Sequence, residues 1–149
     1  MRRRLLATLL IAFSLLLVAC GGGGNEEGEA EVPEPQTAGD PARGEELYHM
    51  TTIGDTGAPG CTTCHSVQPT DDPLQPSPVG PSHYGVADRA ANYDQSLSAE
   101  EYLRQSIVEP DAHIVEGFQP GVMYQNYAED LTEQQIDDLV AYLLTLHGD

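Results

Sequence analysis

Cys61 and Cys64 stand three residues apart and His65 follows at once, in the run Cys61-Thr62-Thr63-Cys64-His65. On a turn of helical backbone that spacing points both sulfurs one way. Two thiols so placed can form thioethers with the two vinyl groups of a haem. The adjacent imidazole then lies under the iron as its proximal ligand, and the whole pattern is the attachment signature of c-type haem. Other chemistries use parts of the same set. A disulfide or redox dithiol needs only the pair, but the redox form sits at a strand-to-helix junction of a thioredoxin-like unit, and no such strands are legible. A zinc site needs a second cysteine pair, and the chain has none. The pattern points to one covalently attached haem c.

A second axial ligand is expected toward the C-terminus. The candidates are His49, Met50, His83, His113, Met123 and His147. Met123 is the one methionine after the motif. It closes the Pro/Gly loop Gly117-Phe118-Gln119-Pro120-Gly121-Val122-Met123, which can present a thioether across from His65. His113, in the loop Pro110–Phe118, is the runner-up. Met50 reads as core or surface, and His49 and His147 as solvated helix ends. With His65 and Met123 both on the iron, no position is open to oxygen or a small-molecule substrate, and outer-sphere electron transfer remains. An open-site sensor or enzyme would require Met123 to be off the iron. No Ser/His/Asp set, phosphate-binding loop or catalytic carboxylate pair is present. The acidic pairs Glu45-Glu46, Asp71-Asp72, Glu100-Glu101 and Asp137-Asp138 read as solvated faces or helix-start charges.

Three helices must position this set. Asp40 as N-cap and Pro41 at the first helical position open one that runs through Tyr48. Ser98 and Glu101, at capping-box spacing, open a second that carries Tyr102, Leu103 and Ile107 and stops before Pro110. Thr132 and Gln135 open a third, with Ile136, Leu139, Val140 and Leu143 at helical period. Pro-rich loops at Gln68–Pro81 and Pro110–Gly121 lie between, and no stretch alternates convincingly as a strand. The expected fold is all-α, with three main helices and ordered loops around one haem. The 149 residues suggest a single domain.

The N-terminus reads as a targeting signal. Arg2–Arg4 precede the apolar run Leu5–Val18, which is too short for a membrane-spanning helix. Leu17-Val18-Ala19-Cys20 resembles a bacterial lipobox, in which the cysteine is lipidated and cleavage falls just before it. An ordinary signal peptide and a retained anchor are the alternatives. The expected organisation is a lipoprotein signal peptide over 1–19, a lipid-anchored flexible acidic linker over 20–39 and a haem domain over 40–149. The Gly/Glu/Pro linker has almost nothing to bury and would reach about 25 Å as a flexible chain. After cleavage, three arginines face 24 acidic residues, a net charge of −21, with no lysine anywhere. Such a body repels nucleic acid and anionic lipid headgroups, and a redox partner with a basic docking face is its complement. The expected location is the extracytoplasmic face of a membrane, reached through the lipid at Cys20.

From about Asp40 to Leu146 the chain resembles class I monohaem cytochrome c. Gly44 and Tyr48 look like the family's glycine and aromatic on the first helix, with Leu139 and Tyr142 as their partners on the last. Val79-Gly80-Pro81-Ser82-His83-Tyr84-Gly85 resembles the loop under the proximal side. The resemblance implies that the Pro81 carbonyl accepts a bond from the His65 ring and that Arg89 meets a haem propionate. Two positions depart from the pattern. His83 replaces an apolar pocket residue, as a shape substitution, a surface residue or a titrating group. Tyr124 stands after Met123 where many bacterial relatives carry proline. The implied function is a membrane-tethered carrier of single electrons between respiratory or photosynthetic chain components outside the cytoplasm. The alternative is a fixed haem subunit of a larger membrane oxidoreductase complex, of the alternative complex III or oxidase type.

Overall fold

The computed structural model describes residues 38–73 and 79–149. The expected signal peptide, Cys20 and residues 20–37 of the expected linker lie outside the described residues. The three anticipated helices are present as α1 (Pro41–His49), α3 (Ala99–Val108) and α5 (Glu133–Leu143). Their start signals act as the sequence implies. The Asp40 carboxylate accepts from the Ala42 amide at 2.9 Å. Reciprocal capping boxes close at Ser98/Glu101 and at Thr132/Gln135, satisfying amides that a helix start would leave unpaired.

Two further helices escaped the sequence reading. α2 (Val86–Tyr93) begins after Gly85, whose φ of 67° is left-handed, and it has no side-chain cap. α4 (Tyr127–Asp130) is a single turn. Neither carries the capping signature that marks the others, and both are too short for a periodic stripe. A small antiparallel ladder also forms, β1 (Thr52–Ile53) with β2 (Ala58–Pro59), pairing Thr52 with Pro59 and Ile53 with Ala58. Two residues per strand cannot display alternation in a sequence. The described residues are otherwise helix and loop, an all-α architecture.

α1 packs across α5, and α3 packs against both α2 and α5. Tyr48, Ile136 and Leu139 are fully buried where these helices meet, with Tyr102 and Leu103 alongside. The α1/α5 crossing is close because Gly44 has no side chain: a Cβ there would lie 1.9 Å from the Asp138 carbonyl oxygen.

Asp138 corrects an expectation. The Asp137-Asp138 pair does not form a solvated face. Asp138 is 2% exposed and accepts from Arg43 Nε at 2.7 Å, Arg43 Nη2 at 2.9 Å, the Asp40 amide at 2.7 Å and Gln134 Nε2 at 2.9 Å. Asp137 binds Arg104, which also reaches Glu133 at 3.0 Å. Burial alone would push the Asp138 carboxyl up. The bonds from Arg43, Asp40 and Gln134 outweigh it and hold the group below the usual carboxylate range. A carboxyl lowered on folding stabilises the fold above its unfolded pKa, and that contribution is lost as pH falls through the lowered value. Asp138→Ala is expected to cost about 1–3 kcal/mol at pH 7, from the amide and side-chain donors left without an acceptor. Urea unfolding of wild type and Asp138→Ala at pH 7 and in the acid range checks this. The difference between them should shrink as the wild-type carboxyl protonates, and a difference independent of pH would contradict the account.

Candidate functional site

A 3₁₀ turn over Cys61–Thr63 places the cysteine pair. The Cys64 and His65 amides both donate to the Cys61 carbonyl, at 3.1 and 2.9 Å, and the Gly60 amide ties the turn to Thr51 at 2.9 Å. Gly60 is required there, since a Cβ would stand 1.7 Å from the Met50 carbonyl oxygen. The chain then folds back: the Val79 and Gly80 amides donate to the Cys64 carbonyl at 3.1 and 2.8 Å. This return carries Pro81 to His65, whose Nδ1–H donates to the Pro81 carbonyl at 2.7 Å. A carbonyl can only accept, so the tautomer is set and the lone pair is left on Nε2. Burial lowers the His65 pKa, against the opposing pull of the Pro81 carbonyl. The imidazole is therefore neutral, the form that binds a metal.

Cys61 and Cys64 are half-buried thiols. Burial pushes the Cys61 thiol up to about 12. A redox dithiol depends on a lowered thiol pKa, so this environment disfavours that use of the pair.

The Met123 loop is held from several directions. The Asp111 carboxylate accepts from the Gly121 amide at 2.9 Å, and Gln125 Nε2 donates to the Met123 carbonyl at 2.8 Å. Gly117 and Gly121 take left-handed backbone, with φ of 93° and 74°. Tyr124 donates to Asp130 and sets its ring edge-on to Tyr127, 5.0 Å between centroids. Tyr127 in turn donates to the Pro59 carbonyl at 2.6 Å, which ties this side of the molecule to the strand leading into the cysteine turn. Asp111 and Tyr127 were not singled out from sequence, where an isolated Asp in a loop and a Tyr before a helix carry no signal.

Between these walls lies a cavity of two lobes. One, of about 340 Å³, is lined by Cys64, His65, Leu103, Ile107, Val122 and Met123, among others. The other, of about 210 Å³, is lined by Cys61, Cys64, His65, Met123, Tyr127 and Leu139. Both cysteines, the neutral His65 and the Met123 thioether thus face one apolar space. That donor set fits a haem: two sulfurs for its vinyls, and a nitrogen and a thioether for its iron.

The other sequence candidates fall differently. His113 lines only the larger lobe and packs against Tyr102 and Tyr93, with centroids 5.4 and 5.9 Å apart. Met50 is 48% exposed at the end of α1. His49 and His147 are exposed, and His147 Nδ1 sits 2.6 Å from Asp88. Arg89 lines the larger lobe while donating to the Ser82 carbonyl at 2.7 Å, to the Tyr84 carbonyl and to the Tyr93 hydroxyl at 3.2 Å. Two of its five N–H groups thus brace the loop after Pro81, a third meets Tyr93 of its own helix, and two are left for a carboxylate. His83 lies against His65 and lines both lobes. Burial, with His65 and Arg89 nearby, lowers its pKa well below the ordinary histidine value, so it too is neutral.

An all-α domain with a CxxCH turn and a thioether facing one apolar cavity defines a haem-binding electron-transfer protein. The cytochrome c family model matches residues 41–147, and the chain belongs to the cytochrome c family, as a class I monohaem member with covalent haem c. Among solved structures it is similar to a chain of the crystal structure of SoxXA from P. pantotrophus, at 26% identity over 74% of this chain and 84% of that one, with a TM-score of 0.44. No curated protein matches it.

Proposed function

We propose that this chain is a membrane-tethered carrier that passes single electrons between components of a respiratory or photosynthetic chain outside the cytoplasm. The observation that carries the redox part is the joint lining of one cavity by Cys61, Cys64, His65 and Met123. When bound, the haem supplies a one-electron Fe(III)/Fe(II) couple. His65, held by Pro81, is kept in the ligating tautomer, and the bond raises its basicity as a ligand. The soft Met123 thioether favours the lower oxidation state and raises the potential. Leu103 and Ile107 give the cavity apolar walls, which favours the less charged centre in the same sense.

The tether rests on the lipobox-like Leu17-Val18-Ala19-Cys20 and on the Gly/Glu stretch behind it. Attachment at one end raises the effective concentration of donor and acceptor without raising affinity, which suits rapid turnover. The acidic body, with three arginines and no lysine, suits a partner with a basic docking face.

Detergent phase partitioning of the full chain, expressed with lipidation and haem-attachment machinery, tests the assignment. Wild type is expected almost wholly in the detergent phase, with a diacylglyceryl mass on Cys20. Cys20→Ser should move to the aqueous phase with its covalent haem intact. Wild type in the aqueous phase would overturn the tether, and absence of covalent haem from both would overturn the carrier role.

A further inference from the structure

The bond from His65 Nδ1 to the Pro81 carbonyl fixes one point of the ring. It does not by itself fix the plane of the ring about that point. A second contact does. The His83 imidazole lies over His65 with centroids 4.0 Å apart and planes 14° from parallel. His83 is itself held. Its Nδ1 shares a 3.0 Å hydrogen bond with the Tyr48 hydroxyl, and its amide donates to the Ser66 carbonyl at 2.8 Å. Arg89 anchors the carbonyls of the residues on either side, Ser82 and Tyr84. Tyr48 is fully buried and packs on Tyr142 of α5, 5.2 Å between ring centroids. A continuous series of contacts therefore runs from the α1/α5 crossing to the face of the proximal imidazole.

From this arrangement we propose that the Tyr48–His83 pair is a positioning device that sets the plane of the His65 imidazole and through it the electronic character of the haem iron. The two polar groups make sense only together. An aliphatic residue at 83 would strand the Tyr48 hydroxyl in the core, and phenylalanine at 48 would strand the part-buried Nδ1 of His83. Either loss carries the cost of an unpaired buried polar group. An aliphatic side chain could fill the same volume at 83, but it has no flat face to hold a ring parallel. The pair thus trades simple packing for orientation. The inference rests on His65 as an axial ligand.

The test uses oxidised holoprotein and three readouts: electron paramagnetic resonance g-values, the paramagnetically shifted haem-methyl proton resonances, and the reduction potential. The first two report the orientation of the axial imidazole plane. His83→Leu is expected to shift the g-values and change the spread of the methyl resonances, with a change in potential. Tyr48→Phe, which keeps the ring packing on Tyr142, should shift them in the same sense by less. The double variant should shift them no further than His83→Leu alone, because both act through one contact. His83→Phe, which restores a flat face, should return them most of the way to wild type. Unchanged g-values and methyl shifts in His83→Leu with covalent haem intact would overturn the proposal, as would shifts from Tyr48→Phe and His83→Leu that simply add. A wild-type protein without a low-spin c-type spectrum would instead overturn the ligand assignment, and this inference with it.

Discussion

Met123→Ala is expected to open the iron. The wild-type holoprotein, with His65 and Met123 both facing the cavity, should show a sharp low-spin c-type α band when reduced and no change on adding carbon monoxide. The oxidised form should show the weak charge-transfer band of a thioether on Fe(III). In the variant that band should vanish completely. The reduced spectrum should become high-spin and shift on carbon monoxide addition. The potential should fall, since the soft ligand that favours Fe(II) is gone. So large an effect follows from the position of Met123. Of the ligand-bearing residues beyond the cysteine turn that line both lobes, Met123 sits on a loop held by Asp111 and Gln125, while His83 is stacked on His65. His113 lines one lobe and is engaged with Tyr93 and Tyr102. Retention of the charge-transfer band in Met123→Ala would remove Met123 from the iron. Carbon monoxide binding by wild type would move the protein toward sensing or catalysis.

Gly44→Ala is expected to destabilise the fold heavily for a single added methyl. In an exposed helix the change would help, by about 1 kcal/mol of propensity. Here the new Cβ would meet the Asp138 carbonyl oxygen at 1.9 Å, its carbon at 2.6 Å and the Tyr142 Cβ at 2.8 Å. Two of those are backbone atoms of α5 and cannot swing aside. The helices must separate, and Asp138 would be drawn from Arg43 and the Asp40 amide as they do. Overpacking of this kind costs about 1–3 kcal/mol, and more where backbone must move, so a net loss of about 3 kcal/mol is expected. At about 4–8 °C per kcal/mol for a domain of this size, thermal unfolding should fall by roughly 12–24 °C. Gly57→Ala is the control. Its φ is 74°, but nothing lies within 4 Å of the added Cβ, so only backbone strain of about 1 kcal/mol should appear. Equal melting of Gly44→Ala and wild type would contradict the close crossing.

The haem motif was legible because covalent attachment places its demand on contiguous residues. Cys61, Cys64 and His65 must share one turn, so the chemistry is written in adjacent letters. Helix starts are local in the same way. A cap needs an oxygen two or three residues before the amide it serves, and Asp40, Ser98 and Thr132 are read directly. α2 lacked such a letter, because its start depends on the left-handed backbone of Gly85 and its place is kept by neighbours. The Pro81 contact came only through family resemblance, since nothing in the run Gly80-Pro81-Ser82 says which carbonyl will meet an imidazole 16 residues away.

By itself the sequence determined the attachment of haem, the main helices and the acidity of the body, all properties of composition or of short spacing. The tertiary structure decided the rest. Asp138 looks like a surface acid in its own helix, and only the approach of α1, 95 residues earlier, buries it against Arg43. His83 admitted three readings until the fold laid it on His65 and gave its Nδ1 the Tyr48 hydroxyl. Tyr127 became a brace for the Met123 side only by reaching Pro59. In each case the side chain's role is set by a partner distant in the chain. A local pattern carries no information about such a partner, because chain closure, not spacing, brings the two together.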